Sequence, residues 1–312
     1  MSVLHIHLFG KLCLQHDGHE LSGPVARKAQ ELLGYLLLYR NRPHPREALA
    51  NVFWSDIPTS QSKTYLRKAL WQLQATLDSS TRVSTAPVLL VESDWVQVNS
   101  AADIWLDVAV LEQTFGMVQG VPGEQISSEC AVVVRETAAL YRGDLLDGWY
   151  QDWCLFERER LQNMYLALLD KLMGYGEAHQ EYEQGIVYGA DSLRHNRARE
   201  ATYRRLMRLH YLAGDRSAAL RQYERCVAAL DEELGVSPTD YTTALYEQIK
   251  ANRLDPAPHE SHPHPSPAPA AANPLLSSVL DYLKKLQASL EDAQERVQHD
   301  IRLIEQSIHG RR

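Results

Sequence analysis

The stretch from Arg199 to Pro238, REATYRRLMRLHYLAGDRSAALRQYERCVAALDEELGVSP, constrains this chain most. It reads as two antiparallel helices joined by Ala213-Gly214-Asp215 and closed by Gly235-Val236-Ser237-Pro238. Such a pair cannot bury its own apolar face, so it needs stacked neighbours and exposes a surface suited to binding.

Counting from Gly214, small Ala219, aromatic Tyr223 and small Cys226 fall where a tetratricopeptide unit lets two helices approach closely. The wording LMRLHYLAGDRSAALRQYER…LDEELGVSP goes further, because it closely resembles the bacterial transcriptional activator domain of antibiotic-type regulatory proteins, the SARP group. Asp103-Ile104-Trp105-Leu106-Asp107, Tyr141-Arg142-Gly143-Asp144-Leu145-Leu146, and Trp153 with Glu157-Arg158-Glu159-Arg160-Leu161 resemble its opening half in sequence and order. Asn196 stands where that family usually has a proline before Arg-Glu. The resemblance implies an all-α, tetratricopeptide-like domain over 101–253 that contacts RNA polymerase holoenzyme, and it requires a DNA reader elsewhere in the chain.

Charge points to where that reader lies. Residues 1–100 carry ten Lys/Arg against eight Asp/Glu, whereas residues 101–253 carry sixteen against twenty-four. Only the first hundred residues are net positive, although the whole chain stands at −8.

Within that hundred, Leu4, Ile6 and Leu8 alternate with His5, His7 and Phe9, Leu12 and Leu14 follow, and His16-Asp17-Gly18 makes a turn, which predicts a small antiparallel sheet. His5 and His7 are read as the solvent face of a strand rather than a metal pair. Ala29, Leu32, Leu33, Leu36 and Leu37 mark an amphipathic helix ending near Arg40 to Pro43, and Pro45 opens a second, shorter helix through REALANVFW. Ser60 or Ser62 is placed as the cap of a third helix whose inward stripe is Leu66, Leu70, Leu73 and Leu77. PVLLVESDWVQVN then reads as two strands around Glu92-Ser93-Asp94.

That order of elements resembles the OmpR-type winged helix-turn-helix over residues 1–99. The resemblance implies that helix 60–78 enters the major groove of double-stranded promoter DNA, with residues 90–96 as the wing. On its outer face, Arg67 and Lys68 suit phosphate or guanine O6/N7, Gln61 and Gln72 suit adenine N6/N7, and Thr64 shares that face. Lys63, early in the helix, is assigned to phosphate. Trp71 is read either as a contact to a thymine methyl or as packing against the second domain.

Beyond Arg253, LDPAPHESHPHPSPAPAAANP holds seven prolines and three histidines, which predicts an extended linker over 254–274. His259, His262 and His264 lack the spacing of a helical metal motif and are read as solvated. Over 275–309, Leu276, Val279, Leu283, Leu286, Leu290, Ala293, Val297, Ile301, Ile304 and Ile308 form a heptad seam with one four-residue stutter. Its partner is a second copy of the helix, making a homo-oligomer, or the repeat domain of its own chain.

No run of about 18 apolar residues marks a membrane span, the N-terminus lacks a secretory pattern, and Cys13, Cys130, Cys154 and Cys226 share no C-x-x-C spacing. No phosphate-binding loop, dinucleotide fingerprint, zinc-protease or nucleophile-elbow motif is present in the sequence, so neither catalysis, cofactor nor metal is expected. The reading is a multidomain, mainly α, cytoplasmic transcriptional activator: an α+β winged helix, an all-α repeat domain and a C-terminal coiled-coil helix. A small-molecule effector in the acidic repeat groove is one possible extension. The competing class is a tetratricopeptide-type interaction scaffold whose winged helix no longer binds DNA.

Overall fold

Two β-sheets and three helices build the N-terminal region of the computed structural model, which describes residues 3–16, 18–21, 26–80 and 86–254. Strand β1 (Leu4–His7) pairs antiparallel with β2 (Cys13–His16), and β2 with β3 (His19–Glu20). On its other edge β1 pairs in parallel with β7 (Ile104–Leu106), a segment whose sequence opens the second domain. Trp105 of that strand lies 5.1 Å, centroid to centroid, from both His5 and His7. His7 is therefore half-buried rather than on a solvent face, while His5 stays exposed.

Helix α1 (Arg27–Leu38) buries Ala29, Leu32, Leu33, Leu36 and Leu37 completely, as their spacing predicts. Pro45 does not open the next helix from within. It belongs to a two-residue strand β4 (His44–Pro45) and precedes α2 (Arg46–Phe53) as its N-cap. A proline is tolerated there because an edge strand needs no amide on its outer side. The sheet order is β4-β6-β5, with β5 (Leu89–Val91) and β6 (Trp95–Val98) joined by the Glu92-Ser93-Asp94 turn. Helix α3 (Thr59–Ser80) starts earlier than either expected serine cap. The Gln61 and Ser62 amides donate to the Pro58 carbonyl, and buried Ser62 donates its hydroxyl to the Thr59 carbonyl at 2.9 Å.

The rest is helical: α4 (Asp107–Val118), a 3-10 turn Gly123–Gln125, α5 (Ser128–Ala138), α6 (Asp152–Ala178), α7 (Tyr182–His195), α8 (Glu200–Leu212), α9 (Arg216–Leu234) and α10 (Asp240–Lys250). The α8–α9 hairpin matches its sequence reading closely. Asp215 caps α9 by accepting from the Ala218 amide at 2.8 Å, and Gly235 ends it at φ 65°, where a side chain would be strained. Ala219 and Cys226 are fully buried, and Tyr223 stacks on Tyr246 of α10 at 4.2 Å. Leu254, the first residue of the expected linker, is buried among Met207, Ala219, Leu245 and Ile249. The remaining linker residues, and the whole seam expected over 275–309, lie outside the described residues.

Residues through Leu254 form one compact unit, with a core that runs from Leu4 to Leu172 across the expected domain boundary. The Asp107 carboxylate accepts from the Leu8 amide at 2.8 Å and the Phe9 amide at 3.0 Å. The Leu146 amide donates to the Leu8 carbonyl, and Gly10 exchanges backbone bonds with Asp144 and Asp147. On the helical side Gly34 permits contact: a Cβ there would sit 3.1 Å from Leu146 and 3.2 Å from Trp149. Tyr35 meets Trp153 edge-on at 5.4 Å, and Arg40, Glu112, Arg160 and Glu157 form a chain of ion pairs across the same seam.

Candidate nucleic-acid interface

Helix α3 divides its surface by the 3.6-residue period. Leu66, Leu70, Leu73 and Leu77 are buried against α1 and α2, so residues about half a turn away face outward. Gln61, Lys63, Thr64, Arg67, Lys68 and Trp71 are all exposed, and Gln72 is half-buried. The structure therefore brings the expected set onto one helix surface, with Thr64, Lys68 and Trp71 nearest its centre. Trp71 is 68% exposed, which rules out the reading in which it packs against the second domain.

The cations of this face differ in what they touch. Lys63 donates to Glu47 of α2 at 2.7 Å, and that bond, with the lysine's charge, holds the Glu47 carboxyl below its ordinary range. Arg67 and Lys68 form no ion pair or hydrogen bond with any described residue. Thr64 turns its hydroxyl back to the Ser60 carbonyl at 3.1 Å. Beside them lies a groove of about 600 Å3 lined by Pro45, Arg46, Glu47, Lys63, Leu66, Arg67, Ser93 and Asp94.

The wing turn is fastened to the start of α2. The Arg46 amide donates to the Asp94 carbonyl at 2.9 Å, and the Arg46 guanidinium to the Glu92 carbonyl at 3.0 Å. Its two acidic side chains remain exposed. Two further residues belong to this surface. Tyr65, 49% exposed, lies four positions from Gln61 and seven from Gln72, so helical spacing alone puts it on their side. Glu47 lies sixteen residues from Lys63, and no local pattern announces that pairing.

Several arginines of the helical domain are committed, although Arg221 and Arg225 of α9 are exposed and bond to no described residue. Arg199 binds Asp170, Arg205 binds Glu124, Arg208 binds Glu177 and Arg135 binds Glu181. Arg158 donates to the carbonyls of Leu145, Leu146 and Trp149. At the seam, burial pushes the Asp107 carboxyl up to about 6, against the pull of the Phe9, Leu8 and Val108 amides. His7 Nδ1 lies 3.8 Å from that carboxylate, but burial lowers the histidine's pKa, so the contact is not an ion pair near neutral pH. Among the described residues there is no His/Cys/Asp/Glu cluster of metal-binding form, and no helix is long and apolar enough to cross a membrane.

Residues 106–250 match the family described as the bacterial transcriptional activator domain. Over 258 residues the chain is 26% identical to the transcriptional regulatory protein EmbR of Mycobacterium tuberculosis, covering 79% of this chain and 63% of EmbR. It is also 26% identical over 260 residues to the regulatory protein AfsR of Streptomyces coelicolor, covering 81% of this chain and 25% of AfsR. The chain thus spans under two thirds of EmbR and about a quarter of AfsR. The solved structure of M. tuberculosis EmbR in complex with a low-affinity phosphopeptide shares the fold at a TM-score of 0.62 and 21% identity, covering 82% of this chain and 67% of that one. With an α+β region leading into a segment that matches that activator domain, the chain is similar to the SARP-type transcriptional regulators.

Proposed function

We propose that this regulator is a sequence-specific transcriptional activator that lays α3 in the major groove of promoter DNA and meets RNA polymerase holoenzyme through its helical domain. The observation that carries the reading is the pair Arg67 and Lys68: both are exposed on the outer face of α3 and bond to no described residue, whereas Arg199, Arg205 and Arg208 of the helical domain are bonded within the protein. Phosphate and guanine are the ligands such cations suit. Gln61, Gln72 and Tyr65 flank them as base-reading groups, Trp71 meets a thymine methyl, and Thr64 lies between. Lys63 reaches phosphate by leaving Glu47. The wing, acidic at Glu92 and Asp94, braces the start of α2 through Arg46 rather than neutralising phosphate.

The seam over 275–309 joins copies of the chain, and two tethered readers gain effective concentration on neighbouring half-sites. Light scattering of the full chain and of residues 1–254 tests this, since equal protomer counts would remove the seam from the assembly. A small-molecule effector is not part of this reading. One observation favours the scaffold alternative, namely the acidic wing turn held by Arg46. Titration of the protein's own promoter DNA decides between them. An activator binds it specifically and loses binding on Arg67→Ala with Lys68→Ala, and a scaffold binds no better than to unrelated DNA.

A further inference from the structure

Two arginines of α9 stand apart from the paired ones of the helical domain. Arg221 and Arg225 are exposed and form no ion pair or hydrogen bond with any described residue. They lie four positions apart on one stripe of the helix, where like charges destabilise it unless an anion joins them. Ser217 and Ala228, also exposed, continue the stripe on either side, and both are too small to screen the guanidiniums.

The carboxylates near the pair are engaged elsewhere or set aside. Asp215 caps α9 through the Ala218 amide, and Glu232 holds Arg197 at 3.0 Å. Glu224 is exposed, lies roughly 60–100° around the helix from the two arginines, and bonds to neither. His210 of α8, whose ring meets the Gln222 amide nitrogen at 3.4 Å, brings no negative charge. Burial lowers its pKa, and Arg221 and Arg225 lower it further against the pull of Asp215. An open helix stripe of this kind does not enclose a small ligand. It suits an extended polyanion, whose phosphates release counterions to each cation they meet. The frame carries this stripe with α3, because residues through Leu254 form one compact unit. A compact chain of that length has a radius of gyration of about 18 Å, so α9 lies on the order of 50 Å from α3, or about 15 base pairs at about 3.4 Å each.

We propose that Arg221 and Arg225 hold the phosphate backbone of duplex DNA flanking the site read by α3, so that the helical domain itself lies on the promoter. The proposal rests on the reading of α3 as the DNA reader and extends the contact beyond it. The full chain is titrated with two duplexes that share one promoter site, a short one ending at the site and a long one with about 20 further base pairs on each side. Wild type should bind the long duplex about tenfold more tightly. The double variant Arg221→Ala, Arg225→Ala should bind both alike, with a salt slope on the long duplex lower by about two. Arg221→Lys with Arg225→Lys should keep the preference, and Glu224→Gln should widen it. Melting temperatures should match the wild type, because these side chains stand in solvent. Lys68→Ala should weaken binding to both duplexes and leave their ratio unchanged. Hydroxyl-radical cleavage should show a protected flanking backbone segment that the double alanine variant loses. Equal wild-type affinity for the two duplexes overturns the proposal, as does an unchanged ratio in the double alanine variant. If the wild type binds neither duplex better than unrelated DNA, the reading of α3 falls first and the flanking contact with it.

Discussion

The outer face of α3 and the seam between the two domains are built from similar residues used in opposite ways. On α3, Arg67 and Lys68 make no bond within the described protein. At the seam, Arg40, Arg160, Glu112 and Glu157 bond one another, and Asp107 takes the Leu8 and Phe9 amides. The difference separates charge left open to solvent from charge used to fix one domain against the other. Substitutions on the first surface should change binding with little effect on stability, and substitutions on the second should do the reverse.

The largest effect tests the seam as a whole. A fragment of residues 1–99 lacks β7, Asp107 and the Leu145–Trp149 loop, leaving Leu8, Phe9 and Gly34 uncovered. It should show no cooperative thermal transition by circular dichroism, whereas residues 1–254 should unfold like the full chain. A stable 1–99 fragment that binds promoter DNA would show the seam to be dispensable.

Next in size is Asp107→Ala, which leaves buried amides of Leu8 and Phe9 without acceptors and should cost about 2–4 kcal/mol in denaturant titration. The same carboxylate sets a pH dependence. Its folded pKa, about 6, lies above the ordinary aspartate value of 3.8, so the protonated form is favoured by folding. That contribution is fully present below 3.8 and is lost as pH rises through about 6, to an extent of roughly 3 kcal/mol at most. Asp107→Asn should flatten this part of the stability profile. A wild-type profile that rises through the same window in parallel with the variant's would contradict the assignment.

On α3, Arg67→Ala and Lys68→Ala should each weaken specific DNA binding by about 1–3 kcal/mol where a base edge is lost, or lower the salt slope by about one where a phosphate is lost. Melting temperatures should not move. The smallest effect belongs to Glu47→Gln, which frees Lys63 and should tighten DNA binding severalfold without changing stability. Weaker binding in that variant would make Glu47 itself a contact to DNA.

Much of the local structure was legible before any coordinates. The stripes of α1 and α3, the Glu92-Ser93-Asp94 turn and the Arg199–Pro238 hairpin follow from periodicity and turn chemistry, which act over a few residues. What escaped is non-local. Strand β7 is three residues long and pairs with a strand about a hundred positions earlier, so no alternation within it could reveal its sheet. Strand β4, two residues around Pro45, reads as a helix start until Trp95 and Val96 are placed beside it. The Lys63 contact was missed for the same reason, because Glu47 lies on another helix. Trp71 was ambiguous in sequence, since an outward tryptophan on a lone helix can face solvent or a neighbouring domain, and only the docking of that domain elsewhere decides.

The pairing of Leu8 with Asp107 also orders events during synthesis. The two residues are 99 positions apart, and the backbone bond from Leu146 returns to the same strand later still. At roughly 5–20 residues per second a ribosome needs several seconds to span that distance. Throughout that interval the edge of β1 has no β7 to pair with, and the buried amides of Leu8 and Phe9 have no acceptor. The N-terminal α+β region therefore completes its fold only after the first part of the helical region has emerged, so a chain broken off early leaves that region unfinished.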